Sequence, residues 1–436
     1  MSPATVGIIG ISIMFLLFFS RMPIGFVMLL IGFLGFSFVL SLEKGIGMLG
    51  MAVYGSISLY DLSVIPLFLL MGQFAFYGGL SRDFYFTMHK WLGRLPGGLA
   101  IATIGGCAGF AAVCGSSVAT AVTMGSVALP EMQSYKYDSK LATGSIAAGG
   151  TLGILIPPST AFVVYGIITG QPIGILLLAG FLPGLLLAGL FMLLIYILVR
   201  MNPAIGPPGP QSSLMEKVIS LKGSWGILLL FILVIGGLYL GVFTPTEAAA
   251  VGASGALVIA IGKRSLSWQN FLDALLSTGQ TSAMIFAILI GASVFSYFIA
   301  VTKIPFLLAN GIAGLAVHRL VILSLILFMY VLLGCLMEAF SMIIITMPII
   351  FPIVQTLGFD PIWYGVLMVI MIEMGMITPP VGLNVFVIQG VARDVPLYTI
   401  FRGAAPFVLA MVVCIILLIM FPSIALLIPG TMGGLR

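Results

Sequence analysis

Apolar stretches of 16 to 28 residues recur from one end of the chain to the other, separated by short polar turns. A helix needs roughly 20 apolar residues to cross the hydrocarbon layer of a bilayer. The pattern therefore predicts an all-α polytopic membrane protein. About ten crossings fit it, at 4–20, 24–42, 60–80, 141–169, 173–200, 225–242, 246–261, 280–301, 363–391 and 403–428. Two further apolar stretches, 98–130 and 306–352, are split near their middles by small or polar residues, GSSVAT at 115–120 and GCLMEAFS at 334–341. Each is expected to enter and leave on one side as a re-entrant hairpin. The first apolar run, Ala4 to Phe19, has no basic residue before it and no small-residue cleavage site after it. It reads as the first spanning helix and not as a removable signal peptide.

Composition removes the soluble alternative. Hydrophobic residues fill 61% of 436 positions and charged ones 7%, against about 25% charged in a typical soluble domain. No water-facing shell is built from that. The net charge of +5 does not indicate a nucleic-acid partner, because the 17 basic residues are scattered through short loops and form no basic stripe. They act as topology signals. With both hairpins re-entrant, Lys44, Lys303, Arg319 and Arg436 fall outside and the other thirteen inside, the asymmetry of the positive-inside rule. Both termini are then expected on the outer side of the membrane. The segment SRDFYFTMHKWLGR (81–94) reads as an amphipathic helix on the cytoplasmic interface, anchored by Trp91.

Four cysteines lie inside apolar runs and suggest no disulfide framework. His89 and His318 are the only histidines, so no transition-metal cluster is expected. An intramembrane enzyme would need a nucleophile with a base, or a metal set, near the midplane. Neither an intramembrane histidine nor a pair of spaced carboxylates is present for it. A passive scaffold, the other rival, would not need the paired helix breaks described next.

One offset exposes internal similarity. Adding 222 takes Pro23 to Pro245, Pro130 to Pro352, Gly153 to Gly375, and Pro157-Pro158 to Pro379-Pro380. Two repeats follow, 1–200 and 225–436, each with five crossings and one hairpin. The odd number of crossings inverts the second against the first. Residues 201–224, polar and proline-rich, read as a cytoplasmic linker.

Four irregularities fall at membrane depth: the two hairpin tips and the interrupted spans GGTLGILIPPS (149–159) and EMGMITPPVGLN (373–384). Lipid tolerates irregular backbone only inside protein or beside a water-filled cavity, and a Pro-Pro pair flanked by glycine breaks a helix. The unwound carbonyls and half-helix ends favour a cation such as Na⁺, the half-helix N-termini an anion. Glu338 stands in the second tip, where an intramembrane carboxylate is a functional candidate; the alternative is a carboxylate capping its own helix. Glu373 is read as structural. Ser116, Ser117 and Thr120 in the first tip, and Thr378 and Asn384 at the second break, either coordinate an ion or bond back to their own helix.

The runs CGSSVATAVTMGSVALPEM (114–132), AAGGTLGILIPPS (147–159), GVFTPTEAAAVG (241–252), GCLMEAFSMIIITMPIIFPI (334–353) and GMITPPVGLNVF (375–386) closely resemble the large membrane subunit of TRAP (tripartite ATP-independent periplasmic) transporters. The resemblance covers nearly the whole chain. It implies a Na⁺-coupled secondary importer of small organic acid anions, of the dicarboxylate, keto acid, sugar acid or sialic acid type. The partners implied are a soluble periplasmic substrate-binding protein and a small four-helix membrane subunit; no organic cofactor is implied. It further implies an elevator mechanism, with hairpins and broken helices moving as a transport domain against a scaffold. Carried onto this sequence, the family's ion- and substrate-site regions fall on Gly115, Ser116 and Ser117; on Gly150 to Pro158, with Thr151, Gly153 and Pro157; on Gly334 to Ser341, with Glu338; and on Gly375 to Gly382, with Thr378, Pro379 and Pro380, followed by Asn384. Glu338 stands where many members have Asp, and Met371 where many have Asn. The related binding-protein-independent Na⁺/carboxylate symporters usually carry Ser-Asn-Thr at both tips. Neither tip here contains Asn.

Overall fold

The computed structural model describes residues 2–18, 22–307 and 317–432. Arg21, Arg436 and positions 308–316 of the second predicted hairpin lie outside the described residues. Among those described there are helices and turns but no strand. The first half runs α1 (Pro3–Phe18), α2 (Ile24–Val39), α3 (Leu42–Ile57), α4 (Val64–Tyr77), α5 (Leu80–Leu92), α6 (Gly98–Cys114), α7 (Ser117–Ser134), α8 (Ser139–Gly150), α9 (Thr160–Thr169), α10 (Ile173–Ala179) and α11 (Phe181–Met201). Then come α12 (Leu214–Phe231), a π-helical stretch Ile232–Gly236, α13 (Gly237–Tyr239), α14 (Pro245–Gly262) and α15 (Trp268–Thr302). The chain closes with α16 (Arg319–Gly334), α17 (Ala339–Thr356), α18 (Pro361–Met376), α19 (Leu383–Val391), α20 (Leu397–Met420) and α21 (Ser423–Thr431).

Seven described helical stretches are long and apolar enough to cross a membrane. Six coincide with predicted crossings, and the seventh is α17, an arm of the second hairpin. The other four predicted crossings differ in build. Those at 4–20 and 24–42 are the 16-residue helices α1 and α2, and those at 141–169 and 363–391 are each made of two shorter helices around a break.

Polar residues hid three features from the hydrophobic pattern. The α3 helix was not expected, because Glu43 and Lys44 interrupt the apolar run there. Its start is fixed by Ser41, whose hydroxyl accepts from the Lys44 N–H at 3.3 Å. Its buried Gly45, Met48 and Ala52 recur at helical spacing. Likewise the crossing expected at 280–301 begins at Trp268, capped by Ser267. At 1.5 Å per residue its 35 residues span roughly 52 Å, well beyond a hydrocarbon layer of about 30 Å. Finally, the linker is not a free chain. It is helical from Leu214, where Ser213 and Glu216 form a reciprocal capping box. Its earlier part is pinned by backbone bonds from Gly97 N–H to Gly206 O (3.1 Å), from Gly209 N–H to Gly93 O (2.8 Å) and from Asp138 N–H to Ile205 O (3.0 Å).

Helix packing sorts the chain into two groups. In one, α2 lies along α15, α4 against α14, and the interfacial α5 against α12, with the Trp91 indole N–H donating to Lys217 O at 3.1 Å and the Thr87 hydroxyl to Ser220 O at 2.7 Å. In the other, α6, α7 and α8 pack together, α8 lies against α20, α16 against α18, and α17 against α9. Two helices join the groups: α4 touches both α6 and α9, and α5 packs on α6 at least as extensively as on α12.

Both split stretches fold back on themselves. Only Gly115 and Ser116 separate α6 from α7, and the open end of that hairpin is closed by the Leu99 N–H donating to the Tyr137 hydroxyl at 3.1 Å. The second hairpin, α16 and α17, brings the Arg319 guanidinium 5.3 Å from the centroid of the Phe359 ring at its open end.

Helix bounds repeat with the proline offset: 222 added to 117 and 134 gives 339 and 356, the ends of α17. Similarly, α9 falls on α19 and α2 on α14, and Pro157-Pro158 and Pro379-Pro380 are both cis. One departure is that the separate α3 and α4 correspond to the single helix α15.

Candidate functional site

The first hairpin turns on Gly115, which takes a left-handed φ of 66° that a side chain would strain. Ser116 then caps α7, its hydroxyl accepting from the Ala119 N–H at 3.3 Å. The tip is held against the first broken helix from both directions. The Thr160 hydroxyl donates to Gly115 O at 2.7 Å. Gly153 sits so close to the tip that a Cβ there would meet Ser116 O at 2.5 Å and Thr120 Oγ1 at 2.7 Å. The break itself is a short 3₁₀ turn, Thr151–Ile154, followed by the two prolines and by Ser159, which caps α9 through the Phe162 N–H. All of Thr151 to Thr160 is buried.

The second tip and break form a matching contact. Gly382, at φ 61°, donates its N–H to Cys335 O at 3.3 Å. Gly334 and Gly375 lie face to face, a Cβ on Gly375 falling 2.6 Å from Gly334 Cα. In contrast with the first break, Pro379 and Pro380 are exposed.

The two tip-and-break pairs meet through the Ser117 hydroxyl. It points to the Met376 sulfur at 3.9 Å and lies beside the Glu373 carboxyl. Glu373 is 1% exposed and Asn384 is 0% exposed; apart from the neighbouring Ser117 hydroxyl, whose proton is aimed at the Met376 sulfur, neither carboxylate oxygen nor either amide atom has a hydrogen-bond partner among the described residues. Leaving such groups buried and unpaired costs about 1–3 kcal/mol each. Orphaned atoms on these two side chains are where a ligand or an ordered water would supply partners. Glu373, read from sequence as structural, joins the candidate residues on this ground; its burial among apolar neighbours gave the sequence pattern no way to show how few partners it has.

Other predicted residues divide by what their hydroxyls do. Those of Thr120, Thr151 and Thr378 donate to the Ser116, Ala148 and Met374 carbonyls of their own turns, the local bonding that apolar surroundings favour. Each hydroxyl gives its one proton to that bond and keeps the oxygen lone pairs that a cation would use. Ser341 is buried and has no hydrogen-bond partner among the described residues. Glu338 occupies the N-cap of α17 but makes no capping bond and no ion pair, which removes the capping alternative. Glu338→Gln is accordingly expected to cut uptake about tenfold or more, a charge-assisted hydrogen bond being worth ~1.5–3 kcal/mol. Its thermal unfolding should match the parent's, and parental uptake would show that the carboxylate is idle.

A family model described as the tripartite ATP-independent periplasmic transporter, DctM component, matches residues 11–424. The C4-dicarboxylate TRAP transporter large permease protein DctM of Pseudomonas aeruginosa is 38% identical over 376 residues, covering 86% of this chain and 87% of that protein. The sialic acid TRAP transporter large permease protein SiaM of Vibrio cholerae is 31% identical over 420 residues, covering 96% and 97%. Among solved structures, the YdaH transporter of Alcanivorax borkumensis superposes with a TM-score of 0.64 at 17% identity, covering 87% of this chain and 89% of that one. That likeness is one of fold.

Proposed function

Since the chain belongs to the DctM family of tripartite ATP-independent periplasmic transporters, and is thus a multi-pass transport permease and not an enzyme, we propose that it carries a small organic acid anion inward on a Na⁺ gradient. The relatives named above handle C4-dicarboxylates and sialic acid, and an acid of that general kind is the cargo proposed here. Its partners are a soluble periplasmic binding protein, which delivers the acid, and a small membrane subunit beside it. Both termini lie on the periplasmic side.

The observation that carries this reading is the meeting of two hairpin tips and two broken helices around unpaired buried polar groups. Na⁺ is held by oxygens, and here they come from unwound carbonyls at the breaks, the Ser117 hydroxyl, the Asn384 amide and the Glu373 carboxylate. The anion lies against the half-helix N-termini of α7, α9, α17 and α19, whose partial positive charge complements a carboxylate. Hairpins and broken helices then move together against α1 to α5 and α12 to α15. The repeating helix bounds and the packing of α1, α2 and α3 against α15 support that division. A binding-protein-independent symporter is the second reading, and uptake by this chain alone would favour it.

Proteoliposomes holding all three components are expected to accumulate the acid when Na⁺ is higher on the binding-protein side, and to stop when K⁺ replaces it. Uptake that needs ATP, or that ignores the replacement, overturns the proposal.

A further inference from the structure

A cavity of about 290 Å³ opens against the first hairpin tip. Most of its lining is apolar, with Phe110 and Val122 of the hairpin facing Leu69 and Phe76 of α4; the polar groups set into it are Ser116 and Thr123 on the hairpin side and Gln73 of α4 with Ser277 and Thr281 of α15 on the other. These two helices belong to the other packing group, so the cavity lies between the parts proposed to move past one another. Gln73 is the polar interruption in the run LFLLMGQFAF, and its amide N–H donates to the Ser277 hydroxyl at 3.2 Å across 204 residues of sequence. Thr123 is 3% exposed and its hydroxyl has no partner among the described residues. Beyond the Gln73–Ser277 bond and the Ser116 cap, the cavity keeps hydrogen-bonding capacity on both sides: the Gln73 amide oxygen, the Ser277 proton and the Thr281 hydroxyl on one, the Thr123 hydroxyl on the other.

Resting on the transport reading above, we infer that this cavity selects the substrate, taking the uncharged, hydroxyl-bearing part of a small organic acid between Gln73, Ser277 and Thr281 on one side and Thr123 on the other. Three observations set the class. The volume stands at the lower end of ligand pockets, about 300–1,000 Å³, which suits an acid of a few carbons and not a nine-carbon sugar acid. No lysine or arginine lines it, so a carboxylate placed there would be desolvated without a counter-charge. The donors and acceptors are neutral, matching a hydroxyl, which both gives and takes a hydrogen bond. A carboxylate at the other end of the molecule reaches Ser116 and the tip.

The test uses the purified full-length chain in lipid nanodiscs, followed by thermal unfolding in sodium chloride, with acid pairs that differ by one hydroxyl: malate against succinate and lactate against propionate. N-acetylneuraminate serves as the size probe. At least one hydroxy acid is expected to stabilise the parent at about tenfold lower concentration than its deoxy partner, a difference of about 1.4 kcal/mol, while N-acetylneuraminate gives no shift. Gln73→Leu and Ser277→Ala, tested separately, should each erase that preference and keep the stabilisation by Na⁺ itself. Equal binding within both pairs in the parent, stabilisation by N-acetylneuraminate, or a preference that survives in both variants overturns the assignment. Absence of any Na⁺ effect on the parent counts instead against the transport reading on which it rests.

Discussion

Gly153→Ala is expected to lower uptake by about 100-fold or more in three-component proteoliposomes, the loss that a displacement of roughly 1 Å produces at a positioned site. The cause is steric. The added methyl would meet Ser116 O at 2.5 Å and the Ser116 carbonyl carbon at 2.8 Å, and neither atom can swing away because both are backbone in the tip. The first hairpin must therefore shift off the first broken helix. Gly189→Ala is the control, since a Cβ there meets nothing within 4 Å; its uptake should equal the parent's. Parental uptake by Gly153→Ala would mean that tip and break do not work as a unit.

Asn384→Leu is expected to separate stability from function. The Asn384 amide is fully buried with both atoms unpaired, so an apolar side chain of similar shape removes a desolvation cost of about 1–3 kcal/mol and breaks no bond. The variant should unfold at the same or a higher temperature than the parent. If the amide is an ion ligand, Na⁺ will raise the parent's unfolding temperature through preferential binding to the folded state, whereas the variant will need at least about tenfold more Na⁺ for the same shift. A variant that is less stable yet responds normally to Na⁺ would place Asn384 in the scaffold of the site and not among its ligands. This trade of stability for function is what an unpaired buried polar group predicts.

Much of the site was legible before any coordinates. Pro157-Pro158 and Pro379-Pro380 announce breaks because proline has no N–H and cannot continue a helix through its own position, and Gly115 marks a turn because a left-handed φ favours glycine. Less legible was the use each polar side chain makes of its neighbours. The sequences around Thr120, Thr151 and Thr378 resemble those around Ser117 and Asn384 in being small, polar and close to a break. Yet the three threonines bond to their own turns, Ser117 reaches Met376 across 259 residues of sequence, and the Asn384 amide has no partner among the described residues. Gln73 and Ser277, 204 residues apart, carry no local signal of partnership at all.

By itself, then, the sequence determined where most of the apolar helices run, where four apolar stretches are interrupted, and that the interruptions recur at a fixed spacing. These are properties of local chemistry: the length of an apolar run and the missing N–H of a proline. Only the tertiary structure decided that Glu373 and Asn384 are left without partners, that the linker is pinned to the hairpin end, and that α4 and α15 present a polar wall to the first tip. Each of those depends on which surfaces meet, and pairing between residues far apart in the chain is a sum over packing contacts that no single stretch of sequence contains.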